Sequence, residues 1–240
     1  MPSTERHRRL LLVTGMHRSG TSALCAALKA SGASFGPHLL DAMAGVNDEG
    51  FWEDSRVVEL NDALLSHLGQ TWFTVTGELP QPDWEDESLS SLRDDAREIL
   101  SEGFGDGPVE AVKDPRFCIT LGFWLGVAAE SAIDAAVAVI GREPLEVAAS
   151  LERRDGFPLS YGLRLCAGYQ LALHRQAPAA VVYLDYAGLI ANPVATIHHL
   201  AGQTGLPLSA ADAGLVDAVR PDLRHQVTER GDRLLAASGD

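Results

Sequence analysis

The sequence predicts an α/β fold, a single domain in which a central parallel sheet is flanked by helices. Three observations carry this expectation. Short apolar runs alternate with helix-length amphipathic stretches along the 240-residue chain, the pattern that produces strand–helix–strand crossovers. No internal repeat or interdomain linker divides it. Hydrophobic residues make up 46% of the chain, enough for one sizeable core.

The elements follow in order. Residues 9–14 (RLLLVT) read as a buried strand, and Gly15–Gly20 turns it into a helix over about 21–31 that Gly32 stops. After a loop rich in Gly, Asp and Asn, an amphipathic helix spans about 54–68. Residues 77–90 are acidic and proline-bearing, an exposed loop leading into a helix over 88–102. A turn at 103–108 precedes a short strand over 109–112, which ends at Lys113-Asp114-Pro115-Arg116. A helix over about 119–130 leads to a strand over 135–140. Gly141-Arg142-Glu143-Pro144 then opens another helix, with Pro144 in its first turn. A helix over 160–176, a strand over 180–184 and a helix over 193–203 complete a body of about 9–205. Residues 77–102 form a variable acidic region and 206–240 a charged C-terminal segment.

Composition bounds the partners. Lys and Arg number 19 against 33 Asp and Glu, a net charge of −14. Such a surface disfavours nucleic acid and anionic membrane, so neither is an expected partner, and an anionic ligand needs a local basic pocket. No run of apolar residues is long enough for a membrane span. The short apolar run after the basic MPSTERHRR makes a poor signal peptide. Cys25, Cys118 and Cys166 are odd in number and widely spaced, which fits neither a disulfide framework nor a zinc site and suits a reducing cytoplasm.

In parallel sheets ligands bind beyond the carboxyl ends of the strands, where Gly15–Ser22, Lys113–Arg116 and Arg142 converge. The first of these reads GMHRSGTS. A glycine-rich turn from strand to helix exposes backbone N–H groups and the positive end of the helix dipole. Ser19, Thr21 and Ser22 add hydroxyls and Arg18 a multi-donor charge. The set suits a phosphate or sulfate group. A plain structural turn would explain the glycines but not Arg18 with three hydroxyls. A Walker loop places lysine after the second glycine, with Ser/Thr on Mg²⁺. Here that position is Thr21, and the cation stands three residues earlier.

HRSGTS resembles the 5′-phosphosulfate loop of sulfotransferases that use 3′-phosphoadenosine-5′-phosphosulfate (PAPS), typically [K/R]-S-G-T-[S/T]. That family holds the 3′-phosphate with an arginine at a strand end and a serine about two helical turns on. VAVIGREPLEVAASLERR supplies Arg142 and Ser150 in that arrangement. LDYAGLIANPVATIHHLAGQTGLPL is similar to the family's late strand–helix segment, often Y-E-D-L-L-A-D-P. Tyr186, Leu189, Ile190, Asn192 and Pro193 match, while Ala187 and Gly188 replace the acidic pair. KDPRFC (Lys113–Cys118), NDEGFWED (Asn47–Asp54) and RPDLRH (Arg220–His225) look like elements of a bacterial branch. The similarity covers most of residues 9–225 and is weakest over 77–102.

The resemblance implies a single P-loop-NTPase-like sulfotransferase domain over residues 1–240. It implies in-line transfer of a sulfuryl group from PAPS to a hydroxyl, with adenosine 3′,5′-bisphosphate (PAP) as product and no metal required. Arg18 would bind the 5′-phosphosulfate and stabilise charge on the departing oxygen. Ser19, Gly20, Thr21 and Ser22 would hold the phosphate, and Arg142 and Ser150 the 3′-phosphate. His17 joins these cofactor-binding candidates, with a packing role as its alternative.

An acceptor hydroxyl needs a general base, which in this family is a histidine or a glutamate. His38, Glu49, Glu53 and Asp54 are the candidates. Glu53 is favoured because Phe51 and Trp52 offer an apolar wall, which favours the protonated carboxyl, or line an acceptor pocket. Asp54 suits an N-cap. Lys113, with Arg116, faces either the reacting groups or Asp114 in an ion pair. His198-His199 lacks metal partners and reads as surface and packing, and Trp72, Trp84 and Trp124 as core or loop anchors.

Two rivals stand beside this reading. A P-loop kinase or phosphotransferase would bind ATP with Mg²⁺, and a non-catalytic module would bind nucleotide alone. The acceptor expected is a small metabolite, natural product or saccharide. Richness in Ala, Gly, Asp and Arg fits a high-GC bacterial gene and the tailoring of secondary metabolites. Oligomeric state is open, a homodimer included.

Overall fold

A computed structural model describes residues 8–41, 51–79, 81–176, 181–209 and 212–219. Strand β1 (Arg9–Thr14) runs through a glycine loop into α1 (Thr21–Ala30) and a two-residue strand β2 (Ala33–Ser34). Helix α2 (Ser55–His67) follows, then a 3₁₀ turn at Glu87–Leu89, α3 (Ser90–Glu102) and β3 (Val109–Lys113). Next come α4 (Phe117–Glu130), β4 (Asp134–Gly141), α5 (Pro144–Asp155) and α6 (Leu159–Gln176). The described chain ends in β5 (Val181–Asp185), α7 (Tyr186–Ala191), α8 (Pro193–Thr204) and α9 (Asp212–Ala218).

The five strands form one parallel sheet in the order β2-β3-β1-β4-β5. This is the expected α/β fold, with the P-loop-like element at its centre. β1 pairs with β3 through Val13 opposite Lys113, and with β4 through Thr14 opposite Val139. The carboxyl ends of β1, β3 and β4 therefore lie side by side, and the loops after them share one rim.

Residues alternate across a strand, so β1 feeds two cores. Leu10 and Leu12 join Val57, Leu64, Phe117, Trp124, Leu151 and Tyr169 on the face covered by α2–α6. Leu11 and Val13 join Leu24, Leu28, Ile140, Tyr186 and Leu189 on the face covered by α1 and α7–α9. A strand covered on both faces needs a continuous apolar run, which is why LLLV carries no polar alternation.

The helix ends have local causes. Asp54 caps α2 by accepting from Arg56 N at 3.0 Å, and Asn192 caps α8 by accepting from Ala195 N at 2.9 Å. Pro144 and Pro193 occupy first turns, where a missing N–H costs nothing. Gly156 and Gly205 end α5 and α8 in left-handed geometry.

Four short elements depart from the sequence expectation. β2 and the 3₁₀ turn are too short to carry a period. α7 starts directly at the end of β5, where Asp185 accepts from Gly188 N at 2.8 Å, so its six residues read as part of the following loop. α9 lies inside the segment expected to be a charged tail. Among the described residues no helix is long and apolar enough to cross a membrane. Cys25, Cys118 and Cys166 are all free and buried.

Candidate active site

The glycine loop is shaped by contacts that only glycine permits at two positions. At Gly15 (φ 150°) a Cβ would stand 2.2 Å from the Ile140 carbonyl oxygen, because β1 and β4 are adjacent there. At Gly20 (φ 100°) it would stand 2.2 Å from the Tyr186 ring. Arg18 itself takes φ 70°, a left-handed conformation that costs a non-glycine residue about 1–2 kcal/mol. Ser19 N donates to the Met16 carbonyl at 3.0 Å and closes the turn.

Two segments far apart in sequence meet at Arg18. Its Nε donates to Ser150 Oγ at 2.9 Å, across 132 positions. Arg142 Nη1 reaches the Arg18 carbonyl oxygen at 3.4 Å. Arg142 is held from below by Glu146, Nε to Oε2 at 2.8 Å, and its guanidinium lies 5.0 Å from the Tyr186 ring centroid. Tyr186 thus touches both the loop and Arg142, a link that neither segment reveals by itself.

The electrostatics of this cluster are one-sided. Burial lowers the Arg18 pKa, and the neighbouring charges of Arg154 and Arg142 lower it further. His17 is driven well below the usual histidine range, first by burial and then by Arg116, Arg154, Lys113 and Arg18. Its imidazole is therefore neutral near pH 7. Four cations act on one imidazole in a chain of net charge −14. That is the local basic pocket the composition demanded.

His17 packs inward. Its ring lies 4.5 Å from Trp72 and 5.8 Å from Tyr169, and its Nε2 has no hydrogen-bond partner. The packing alternative for His17 is what the contacts describe. Ser19 is likewise turned under the loop: its hydroxyl lies 2.6 Å from where a Gly15 Cβ would be, buried and unpartnered. Thr21 is buried at the start of α1, and Ser22 is half-buried beside it.

The base candidates separate. Glu53 is buried and accepts from Lys113 Nζ at 2.6 Å. Lys113 Nζ also donates to the Phe51 carbonyl at 2.8 Å. The 51–54 segment is clamped against 38–40 by Leu40 N on the Glu53 carbonyl at 2.8 Å and by Ser55 N on the His38 carbonyl at 2.9 Å. Glu53 therefore has a cation at contact distance, not the apolar wall expected of its neighbours. Trp52 packs instead on Phe35 at 5.1 Å.

Asp54 is committed to capping α2 and to an ion pair with Arg56 at 2.8 Å. His38 is exposed. Glu49 lies outside the described residues, as do Asn47–Gly50 and Arg220–His225 of the resembling motifs. Arg116 takes the structural alternative: Asp114 Oδ1 at 3.1 Å and Asp62 Oδ1 at 2.6 Å neutralise it.

One residue of the site was not singled out by the sequence, and another was given a different role. Arg154 stands four residues after Ser150, one helical turn along α5, a spacing that puts both on one face. Its guanidinium lies 5.4 Å from the Trp72 ring centroid. Trp72 was assigned only an anchoring role, since nothing local links residue 72 to the loop.

His198 and His199 are exposed, and Trp124 is fully buried, donating to Asn61 Oδ1 at 2.8 Å. Among the described residues no cluster of three His, Cys, Asp or Glu side chains is arranged to hold a metal ion.

No family model matches the chain, and no curated protein matches it in sequence. Solved structures do. The sulfotransferase domain of the Synechococcus PCC 7002 olefin synthase is 16% identical over 98% of this chain and 85% of its own, with a TM-score of 0.47. A sulfotransferase from Alicyclobacillus acidocaldarius is 14% identical over 93% of this chain and 87% of its own, with a TM-score of 0.45. A sulfotransferase from Mycobacterium tuberculosis H37Rv is 16% identical over 90% of this chain and 71% of its own, with a TM-score of 0.43. These three structures are sulfotransferases or sulfotransferase domains of bacteria.

Proposed function

We propose that the chain is a sulfotransferase that moves the sulfuryl group of PAPS to a hydroxyl of a small-molecule, natural-product or saccharide acceptor. The observation that carries the reading is the meeting of Arg18, Arg142 and Ser150. Arg18 Nε on Ser150 Oγ at 2.9 Å and Arg142 on the Arg18 carbonyl bring two anion-binding segments onto one rim. A mononucleotide with one phosphate needs the loop alone. A second, separate anion site is what a 3′-phosphate requires.

The residues fit the group on an independent ground. The Arg18 guanidinium is held below its ordinary pKa by burial and by Arg154 and Arg142, so a bound anion would relieve repulsion already present. When bound, PAPS supplies an activated sulfuryl group with an anionic leaving group. The chain supplies position and charge. Arg18, the loop N–H groups from Gly20 to Ser22, and the hydroxyls of Thr21 and Ser22 hold the 5′ end. Arg142 and Ser150 hold the 3′-phosphate, with Glu146 and Tyr186 orienting Arg142.

Glu53 is the base in this scheme. Its carboxylate would accept the hydroxyl proton, with Lys113 Nζ 2.6 Å away to hold it in position.

Calorimetry without acceptor tests the reading. PAP should bind more tightly than ATP·Mg²⁺, because the loop carries no lysine for β- and γ-phosphates. Tighter binding of ATP·Mg²⁺ would transfer the assignment to a kinase. Sulfation of an acceptor with labelled PAPS, lost in Arg18→Ala, distinguishes an enzyme from a nucleotide-binding module.

A further inference from the structure

Among the described residues, three that are not glycine take a left-handed backbone: Arg18 (φ 70°), Trp52 (φ 56°) and Ala132 (φ 53°). Ala132 follows α4, where Ile133 N donates to the Ala128 carbonyl at 2.9 Å and closes a common kind of helix end. Arg18 belongs to the glycine loop. Nothing of the kind accounts for Trp52. Asp54, the N-cap of α2, has an ordinary extended backbone, so entry into that helix does not require the turn. A bulky side chain at positive φ is an outlier that persists only where surrounding contacts hold it.

The groups on either side of Trp52 converge on one ammonium. Lys113 Nζ donates to the Phe51 carbonyl at 2.8 Å and to Glu53 Oε1 at 2.6 Å. The turn at residue 52 thus sets a carbonyl and the side chain two positions on around the same small cation. Lys113 ends β3, paired with Val13 in the middle of the sheet, and is a fixed point for that grip. The Trp52 ring is held separately: it is half-buried and edge-on to the buried Phe35, 5.1 Å between centroids. On the far side, Leu40 N on the Glu53 carbonyl at 2.8 Å fixes the next residue.

We propose that Trp52 is a positioning residue. Its ring, seated on Phe35, holds residue 52 left-handed, so that Phe51 and Glu53 grip Lys113 together and the Glu53 carboxylate is fixed in place. Its consequence for turnover rests on the proposed role of Glu53 as base, whereas the grip on Lys113 stands without that role.

Lysine occurs twice in the chain, at positions 29 and 113, which makes the grip measurable without turnover. Lys29 is exposed, whereas Lys113 is 3% exposed. The full chain is acetylated with N-hydroxysuccinimidyl acetate and both sites are followed by mass spectrometry. In wild type Lys29 should react and Lys113 should be protected. Valine is β-branched and strongly disfavoured at positive φ, so Trp52→Val should raise the Lys113 rate by about tenfold or more through local opening, with Lys29 unchanged. Trp52→Phe keeps a ring on Phe35 and should protect Lys113 again. Should Trp52→Val not fold, Trp52→Gly replaces it: glycine permits the turn but removes the ring, and Lys113 should again open.

Turnover is read with labelled PAPS and 2-naphthol, 1-butanol or glucose. It should fall about 10- to 100-fold in Trp52→Val and recover in Trp52→Phe, with PAP affinity near wild type in both. Lys113 protection that survives loss of the ring, or opening as large in Trp52→Phe, would overturn the grip. Unchanged turnover with Lys113 open would overturn the consequence for catalysis. If wild type sulfates none of the three acceptors while Lys113 opens as expected, the proposed reaction fails and the grip stands.

Discussion

Ser150→Ala isolates the second anion site with little collateral change. Ser150 sits inside α5, 7% exposed, with its hydroxyl accepting from Arg18 Nε at 2.9 Å. Alanine removes only the oxygen, and it is the better helix former, by a few tenths of a kcal/mol. Against this stands one hydrogen bond to a cation, which contributes about 1.5–3 kcal/mol. The folded state should therefore lose about 1–2.5 kcal/mol, read as a fall of several degrees in thermal midpoint.

The effect on ligand is larger and selective. In the proposed complex Ser150 donates to the 3′-phosphate, a hydrogen bond to a charged group. Its loss weakens PAP by about 1.5–3 kcal/mol, roughly 10- to 150-fold in Kd. Adenosine 5′-monophosphate lacks that phosphate and should change by less than about threefold, through Arg18 orientation alone. Calorimetry on wild type and variant with both nucleotides gives the ratio directly. Equal weakening of the two nucleotides would show that Ser150 acts only by orienting Arg18. The assignment of a 3′-phosphate site at Arg142 and Ser150 would then be refuted.

The remaining predictions concern the loop, the base and pH. Gly20→Ala forces a Cβ to within 2.2 Å of the Tyr186 ring at φ 100°; it should destabilise the fold by about 2 kcal/mol or more and weaken PAP, measured by denaturant unfolding and calorimetry. Glu53→Gln should keep PAP binding near wild type while turnover is lost, and retained turnover would remove Glu53 as base. Glu53→Leu should be less stable than Glu53→Gln, because it leaves Lys113, 3% exposed, without an oxygen partner at that position.

His17 sets an acid limit. Its pKa in the folded state lies well below that of the unfolded chain, so unfolding takes up a proton once pH falls below the ordinary histidine value of about 6.5. The contribution is fully present above that value and is lost as pH falls from there toward the depressed folded value. Thermal midpoints between pH 8 and 5 should fall more steeply for wild type than for His17→Asn. Parallel curves would show that His17 is not held neutral.

What was legible in the chain was what short-range backbone constraints encode. Glycines that must take positive φ or accept a neighbour's carbonyl, a four-residue apolar core to a strand, a proline at N1 and an acid at an N-cap are local facts. They located β1, its loop, the GREP turn and nearly every helix within a few residues. The same locality explains the misses: β2 has two residues and α7 six, too few for a period to show.

The partners that make the site belong to the tertiary structure. Glu53 and Lys113 lie 60 positions apart, and Arg18 and Ser150 132 apart. No local pattern states that the first pair meets as ions or that the second shares a hydrogen bond. The order β2-β3-β1-β4-β5 decides both, because it sets the ends of β3 and β4 on either side of β1. Packing then turned His17 onto Trp72 and committed Arg116 to Asp114 and Asp62. Sequence by itself named the loop and the chemistry it suits. Which of its side chains face an anion, and which are spent on holding the loop, follows from long-range packing that residue spacing does not encode.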